Sequence, residues 1–305
     1  MRVIYVFLLA LFFISPISAT EQAVTYDLGG GRFGDKLLGY LHAKWISYQY
    51  GIPFLYRPFI YSDLLVMDQK EVLFKANLLM KYKKVIKPTS KSDIDFTSDI
   101  SALYIIPYFP ECLWERNRKK YFCFEINWDD PGFRKEIKSM IKPINPTPSI
   151  QLPDDAITVA LHIREGGGYD HGKAAQVLPL KLPPEDFYIE QLEKMYAIFQ
   201  GQPLYVHIFT DSRKPEQIVK KFEHNFAGYN IQFNCRKDEN NHYSNVIEDF
   251  FEMQRFSCLI RPESNFSITA EILGDFQVVI HPLDFERVNG KVCINEVEII
   301  MKEQP

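Results

Sequence analysis

From residue 157 to residue 280, apolar strand-like runs alternate with helix-like runs, and this alternation constrains the fold more than any other feature of the chain. Residues 157–163 read as a strand, and a helix follows over 185–199, opened by Pro183, Pro184, Glu185 and Asp186. The strand pattern returns at 204–209, 231–233, 258–260 and 278–280, with helices expected over 215–226, 246–256 and 266–273. Strands joined by helices have to run in the same direction, so the pattern predicts an α/β fold: a parallel sheet with right-handed crossovers and helices on both faces.

Upstream, Pro143, Pro146, Pro148 and Pro153 interrupt a stretch with little apolar material, which predicts a domain boundary near residue 150. A chain of 305 residues is long enough for two domains. Before the boundary, a strand near 24–28 leads through Gly29-Gly30-Gly31-Arg32-Phe33-Gly34 into a helix over 35–50, whose apolar face includes Leu37, Leu38, Leu41, Trp45 and Tyr48. Residues 52–56 and 103–108 read as further strands. The aromatics Tyr50, Phe54, Tyr56 and Phe59 are read as core, with a cleft lining as the alternative. The charged runs 81–87 and 116–120 read as solvated helix and loop surface.

Composition excludes several classes of function. With a net charge of −4 and a pI of about 6.0, no global basic field is available to hold a polyanion, so nucleic acid is not expected as a partner. Arg2, the apolar run Val3 to Ile14, and Ser15, Ser18 and Ala19 together read as a signal peptide over 1–19, with a mature chain from Thr20. The run is short for a spanning helix, so a membrane anchor is the weaker reading. Five cysteines, Cys112, Cys123, Cys235, Cys258 and Cys293, permit up to two disulfides, but their odd count and wide spacing do not describe a disulfide framework, and Cys112 with Cys123 is the expected pair. No Cys/His spacing of the zinc type occurs, so no metal is expected. Asp93-Ile94-Asp95 lies in a Ser/Lys/Thr-rich segment and reads as exposed loop.

Ligands of open parallel sheets bind beyond the carboxyl ends of the strands, and this directs attention to particular side chains. Arg164 follows the strand 157–163 and precedes Gly166-Gly167-Gly168; its planar guanidinium suits two phosphate oxygens, while the bland reading is a salt-bridged strand end. Ser264, Asn265 and Ser267 follow the strand 258–260 and open a helix; capping accounts for one of them, and a diphosphate cradle accounts for all. Asp211 ends the strand 204–209 and reads equally as a helix cap or as a ribose or sugar contact. The turn carrying Gly30, Gly31, Arg32 and Phe33 lacks dinucleotide or Walker spacing, and its interest lies in the prospect that it faces Arg164 across a cleft.

At these residues the chain resembles the fucosyltransferase superfamily of α1,2-, α1,6- and protein O-fucosyltransferases. Gly30-Gly31-Arg32-Phe33-Gly34-Asp35 is similar to its N-terminal turn, His162-Ile163-Arg164-Glu165-Gly166 to its His-x-Arg-x-Gly strand end, and Asp249-Phe250-Phe251 through Ser267 to its acidic helix and serine-rich turn. The resemblance implies two Rossmann-like domains of the GT-B type with an interdomain cleft, an acceptor side over 20–150 and a nucleotide-sugar side over 151–305. It further implies inverting transfer from GDP-fucose to a glycan or protein hydroxyl without an obligatory metal. Arg164 would bind the β-phosphate, Gly31, Arg32 and Phe33 would approach the diphosphate, Ser264, Asn265 and Ser267 would donate to it, and Asp249 would contact guanine. His162 would be a packing or nucleotide contact.

Two departures from the family pattern stand out. Glu165 occupies a position where many members carry a second basic residue, and the usual Gly-Asp is stretched to Gly166-Gly167-Gly168-Tyr169-Asp170. Glu165, Asp170 and His171 are therefore all candidates for the base that deprotonates an acceptor hydroxyl. The competing function is a non-catalytic exported binder of a glycan or nucleotide on the same fold. A hydrolase is disfavoured because no Gly-x-Ser-x-Gly elbow is present.

Overall fold

The computed structural model describes residues 21–88, 93–107, 120–121, 124–166, 177–237, 240–241 and 243–302, with backbone alone at 120–121 and 124–125. The segment 1–19, Cys112, Cys123, Arg116, Gly167, Gly168, Tyr169, Asp170 and His171 lie outside the described residues.

The chain opens with β1 (Gln22–Tyr26), every residue of which is buried, and α1 (Phe33–Tyr50) follows. Gly51 ends α1 in the left-handed region at φ 65°, a conformation that costs glycine nothing. After a short helix α2 (Val66–Lys70), the strands β2 (Lys84–Ile86) and β3 (Ala102–Ile106) complete a parallel sheet in the order β1-β3-β2. A two-stranded ribbon, β4 (Lys120–Tyr121) and β5 (Phe124–Glu125), precedes α3 (Pro131–Met140). Pro131 at the start of α3 lacks only an N–H the helix would not use, and Asp130 caps it by accepting from the Phe133 N–H at 2.8 Å.

The second sheet comprises β6 (Ile157–Ile163), β7 (Leu204–Thr210), β8 (Ile231–Cys235), β9 (Cys258–Ile260), β10 (Val278–Val288) and β11 (Lys291–Met301), in the spatial order β11-β10-β9-β6-β7-β8. The helices α4 (Glu185–Ile198), α5 (Pro215–Asn225), α6 (Val246–Met253) and α7 (Asn265–Leu273) connect its parallel strands. One buried apolar cluster runs from β1 and α1, through Phe33, Leu37 and Leu41, to Phe250, Ile268 and Val279 of the second half. A second cluster, including Val206, Ile208, Leu192 and Phe222, covers the opposite face of the large sheet.

Four sequence expectations are corrected. Residues 52–56 form no strand; Phe54 and Tyr56 make only isolated bridges to Val24 and Leu73. Part of the charged run 81–87 is the edge strand β2, whose lysines flank a short exposed segment that pairs on one side only. The large sheet is mixed, because β10 and β11 form an antiparallel hairpin. Its two-residue turn is Asn289-Gly290, both with positive φ (52° and 77°), as this kind of tight hairpin requires. The last turn of the expected helix 246–256 is not helical, since α6 ends at Met253.

Candidate functional site

The second sheet changes direction between β6 and β9. From β6 the chain builds outward through β7 to β8, then returns to the other side of β6 to lay down β9 and β10, all parallel. Loops leaving β6 and β9 at their carboxyl ends therefore diverge, and ligands of such sheets bind in the crevice this creates. Arg164 leaves β6 on one side, and Ser264 enters α7 on the other. They meet: Nη1 of Arg164 donates to Oγ of Ser264 at 3.2 Å.

Strand periodicity fixes which side chains share this crevice. His162 and Arg164 stand two apart and so project from the same face of β6, and the His162 ring lies 5.6 Å from that of Phe266 in the first turn of α7. Burial, with Arg164 and Arg261 nearby, pushes His162 down to about 3, so the imidazole is neutral and packs under the arginine. Its Nδ1 is buried without a hydrogen-bond partner among the described residues. On the next strand Asp211 accepts the Glu165 N–H at 2.8 Å, which ties the loop after Arg164 to the end of β7. This removes the cap reading of Asp211, because α5 starts after Lys214.

The start of α7 is held by buried charge. Arg261, 5 % exposed, pairs with Glu271 at 2.5 Å and approaches Glu263 at 3.7 Å. Ser264 is the residue that precedes the helix, yet its side chain makes no capping bond, since its oxygen accepts from Arg164 instead. Ser267 is fully buried and donates to the Ser264 carbonyl at 3.2 Å, so its hydroxyl serves the helix's own first turn. Asn265 reaches outward and donates through Nδ2 to Oδ1 of Asp35 at 2.7 Å.

That last contact brings in the first half of the molecule. The backbone of Gly34 presses on the start of α7 so closely that a Cβ there would stand 2.4 Å from the Phe266 nitrogen. The glycine-rich turn and the Ser264–Ser267 segment, 230 residues apart at the Asp35–Asn265 contact, are thus packed start to start. Gly31 in this turn has φ 83°, and the Lys36 ammonium donates to the carbonyls of Leu28, Gly29 and Gly30. Phe33 is 2 % exposed, and its ring is edge-on to that of Phe250 at 5.1 Å, in the core beneath the turn.

No family model matches the chain, and no curated protein matches it. Solved structures do. Fucosyltransferase NodZ from Bradyrhizobium aligns over 92% of this chain and 98% of its own, with 14% identity and a TM-score of 0.50. A variant of Arabidopsis thaliana FUT1 in complex with GDP aligns over 85% of this chain and 70% of its own, with 12% identity and a TM-score of 0.50. The chain has the fold of these fucosyltransferases. Within that fucosyltransferase fold, the expected GT-B architecture of α/β units on two sheets holds for this chain.

Asp249 sits apart from the Arg164–Ser264 contact in α6, where it accepts from Nε and Nη2 of Arg236 at 3.0 and 2.7 Å. Burial pushes its carboxyl up to about 6, against the pull of Arg236. Glu165 is exposed at the rim, and its side chain is the described member of the set of candidate bases. Asp95 turns its carboxylate onto the N–H and hydroxyl of Thr97, at 3.0 and 2.6 Å, as a local turn. A shallow depression of about 480 Å³ lined by Leu152, Pro153, Tyr205, Gln232 and Asn234 lies at the amino ends of β7 and β8, away from Arg164.

Sequence reading missed two members of the site. Asp35 stood inside the quoted motif without a role, and its proximity to Asn265 depends on the tertiary fold. Arg261 precedes a proline and an acidic residue, a local pattern that does not reveal its partner Glu271 one helix away.

Proposed function

We propose that the chain is a glycosyltransferase that uses a GDP-sugar donor, with fucosyl transfer as the specific reaction. The observation that carries this reading is the meeting of Arg164 and Ser264 at the sheet's switch point, beside the start of α7 and against the start of α1. A diphosphate in that crevice receives the guanidinium fork of Arg164 and the N–H groups and positive dipole end of α7. The GDP held by the FUT1 relative supports the choice of nucleotide, and the likeness to NodZ, a fucosyltransferase, supports fucose as the sugar.

In this reading an acceptor hydroxyl oxygen attacks the anomeric carbon, the bond from that carbon to the β-phosphate oxygen breaks, and configuration inverts. Arg164 neutralises the charge that develops on the departing GDP, so no metal is required. Glu165, Asp170 or His171 takes the hydroxyl proton. Asp249 reaches guanine with Arg236 as its neighbour, residues 20–150 present the acceptor, and residues 151–305 hold the donor. The mature enzyme starts near Thr20 and works in an exported or lumenal compartment.

A thermal-shift series with GDP, UDP, GDP-fucose and GDP-mannose tests the donor class. Stabilisation by the guanine nucleotides alone, with transfer from GDP-fucose surviving excess chelator, is the expected outcome. GDP binding without transfer to any glycan or protein acceptor would instead identify a non-catalytic binder, and no shift with any nucleotide would refute the reading.

A further inference from the structure

The helix α7 is gripped at both ends by the first half of the molecule. At its far end Arg134 of α3 donates to the carbonyls of Ile272 and Gly274 at 2.7 and 3.1 Å and to Asp275 at 2.9 Å, with Lys138 on the same carboxylate at 2.7 Å. These cations face the negative end of the α7 dipole. At the near end Asp35 divides its two oxygens between separate donors: Oδ2 accepts the Arg32 N–H at 2.9 Å and Oδ1 accepts Asn265 Nδ2 at 2.7 Å. A residue that merely capped α1 would need only the first of these. The second ties the glycine turn to the element that carries Ser264, and through Ser264 to Arg164.

We propose that Asp35 is a positioning residue that bridges the starts of α1 and α7 and sets the spacing between the two arms of the donor site. The inference rests on the GDP-sugar reading above for its functional consequence, though not for the bridge itself. Asp35 acts through the Arg32 backbone and the Asn265 amide, and it takes no proton from a substrate. Charge is therefore not what the bridge needs. In Asp35→Asn the new carbonyl oxygen accepts the Arg32 N–H, while its NH2 donates to the Asn265 oxygen once that amide flips, so the bridge survives uncharged. In Asp35→Ala both bonds go.

The test measures GDP affinity by calorimetry, donor KM and kcat, and thermal stability for the wild type, Asp35→Asn, Asp35→Ala and Asn265→Ala. Asp35→Ala and Asn265→Ala should raise GDP Kd and donor KM by about tenfold, the scale of a lost hydrogen bond that organises a charged site, with kcat less affected. Asp35→Asn should remain close to the wild type in all three. Equal losses in Asp35→Asn and Asp35→Ala would mean that the carboxylate acts chemically, and wild-type values in Asp35→Ala would mean that the bridge positions nothing; either overturns the proposal. Should Asp35→Ala not fold, Asn265→Ala alone decides, since it leaves the cap on α1 intact. A double-mutant cycle of Asp35→Ala and Asn265→Ala on thermal stability, in which each single change removes the bridge, needs no nucleotide, so it still tests the bridge if the wild type fails to bind GDP. Additive changes in that cycle would overturn it.

Discussion

The glycine turn before α1 and the segment before α7 are the two arms of the proposed donor site, but they are shaped by different forces. In the first, main chain dominates: Lys36 gathers the carbonyls of Leu28, Gly29 and Gly30, and Gly34 lies flat against the backbone of Phe266. In the second, side chains dominate: Arg261 pairs with Glu271 in the interior, and Arg164 reaches across to Ser264. An arm built from main chain tolerates changes of side chain yet has no space for an added carbon. An arm built from buried charge has its chemistry concentrated in a few replaceable groups.

The largest effect should therefore come from the second arm. Arg164→Ala is expected to lower turnover by about two orders of magnitude, near 2.7 kcal/mol, the scale seen when one preorganised donor at a developing charge is removed. Arg164→Lys should recover only part of this, because it keeps the charge and loses the fork. Steady-state kinetics beside melting curves check both, and the fold should survive, since the side chain is only partly buried. Normal turnover in Arg164→Ala would reduce the arginine to a structural partner of Ser264.

In the first arm the sensitive position is Gly34. An alanine Cβ there meets backbone, which cannot rotate away as a side chain can, so α1 and α7 have to separate. Gly34→Ala should cost about 1–3 kcal/mol of stability, the usual range for overpacking, and donor binding should weaken with it. Chemical denaturation and GDP titration read the two effects. A stable variant with unchanged GDP affinity would show that the arms need not touch.

A smaller effect sharpens the comparison beneath the second arm. His162 is held at about 3 in the fold against an ordinary value near 6.5, so the unfolded chain binds the extra proton between those limits. Stability from this group is fully present above about 6.5 and is lost as pH falls towards 3. Asp249 works in the opposite sense: raised to about 6, it contributes stability below its unfolded value, which is lost as pH rises through 6. Comparing His162→Gln with the wild type isolates the histidine. The wild type should lose about 1 kcal/mol more than the variant between about pH 7 and pH 5.5. Parallel pH curves for the two proteins would contradict a neutral His162.

Much of the second half was legible because it is governed by periodicity. Strands buried on both faces read as apolar runs, and the carboxyl end of each could be located from sequence, which is how Arg164 and Ser264 were singled out. The first half was less legible for physical reasons. The strand β2, Lys84-Val85-Ile86, is three residues long, mostly exposed and flanked by lysines, so edge pairing had no apolar run to mark it. Residues 52–56 are apolar because they pack, while their backbone pairs only at isolated points. Phe33 sits in a motif that suggests a ligand, but its ring completes the core against Phe250. The hairpin β10–β11 did carry a local signal, Asn289-Gly290, which the helix-and-strand alternation upstream overshadowed. The Asp35–Asn265 bridge had none, since it joins the first turns of two helices 230 residues apart in sequence.

The central claim is that both arms close on one diphosphate. Hydrogen–deuterium exchange with and without GDP measures this directly. The account predicts that protection rises together in peptides covering residues 29–36, 162–166 and 261–268, and that Arg164→Ala abolishes it in all of them. Protection confined to the second half, or centred on the depression at Tyr205 and Asn234, would contradict a site shared between the starts of α1 and α7.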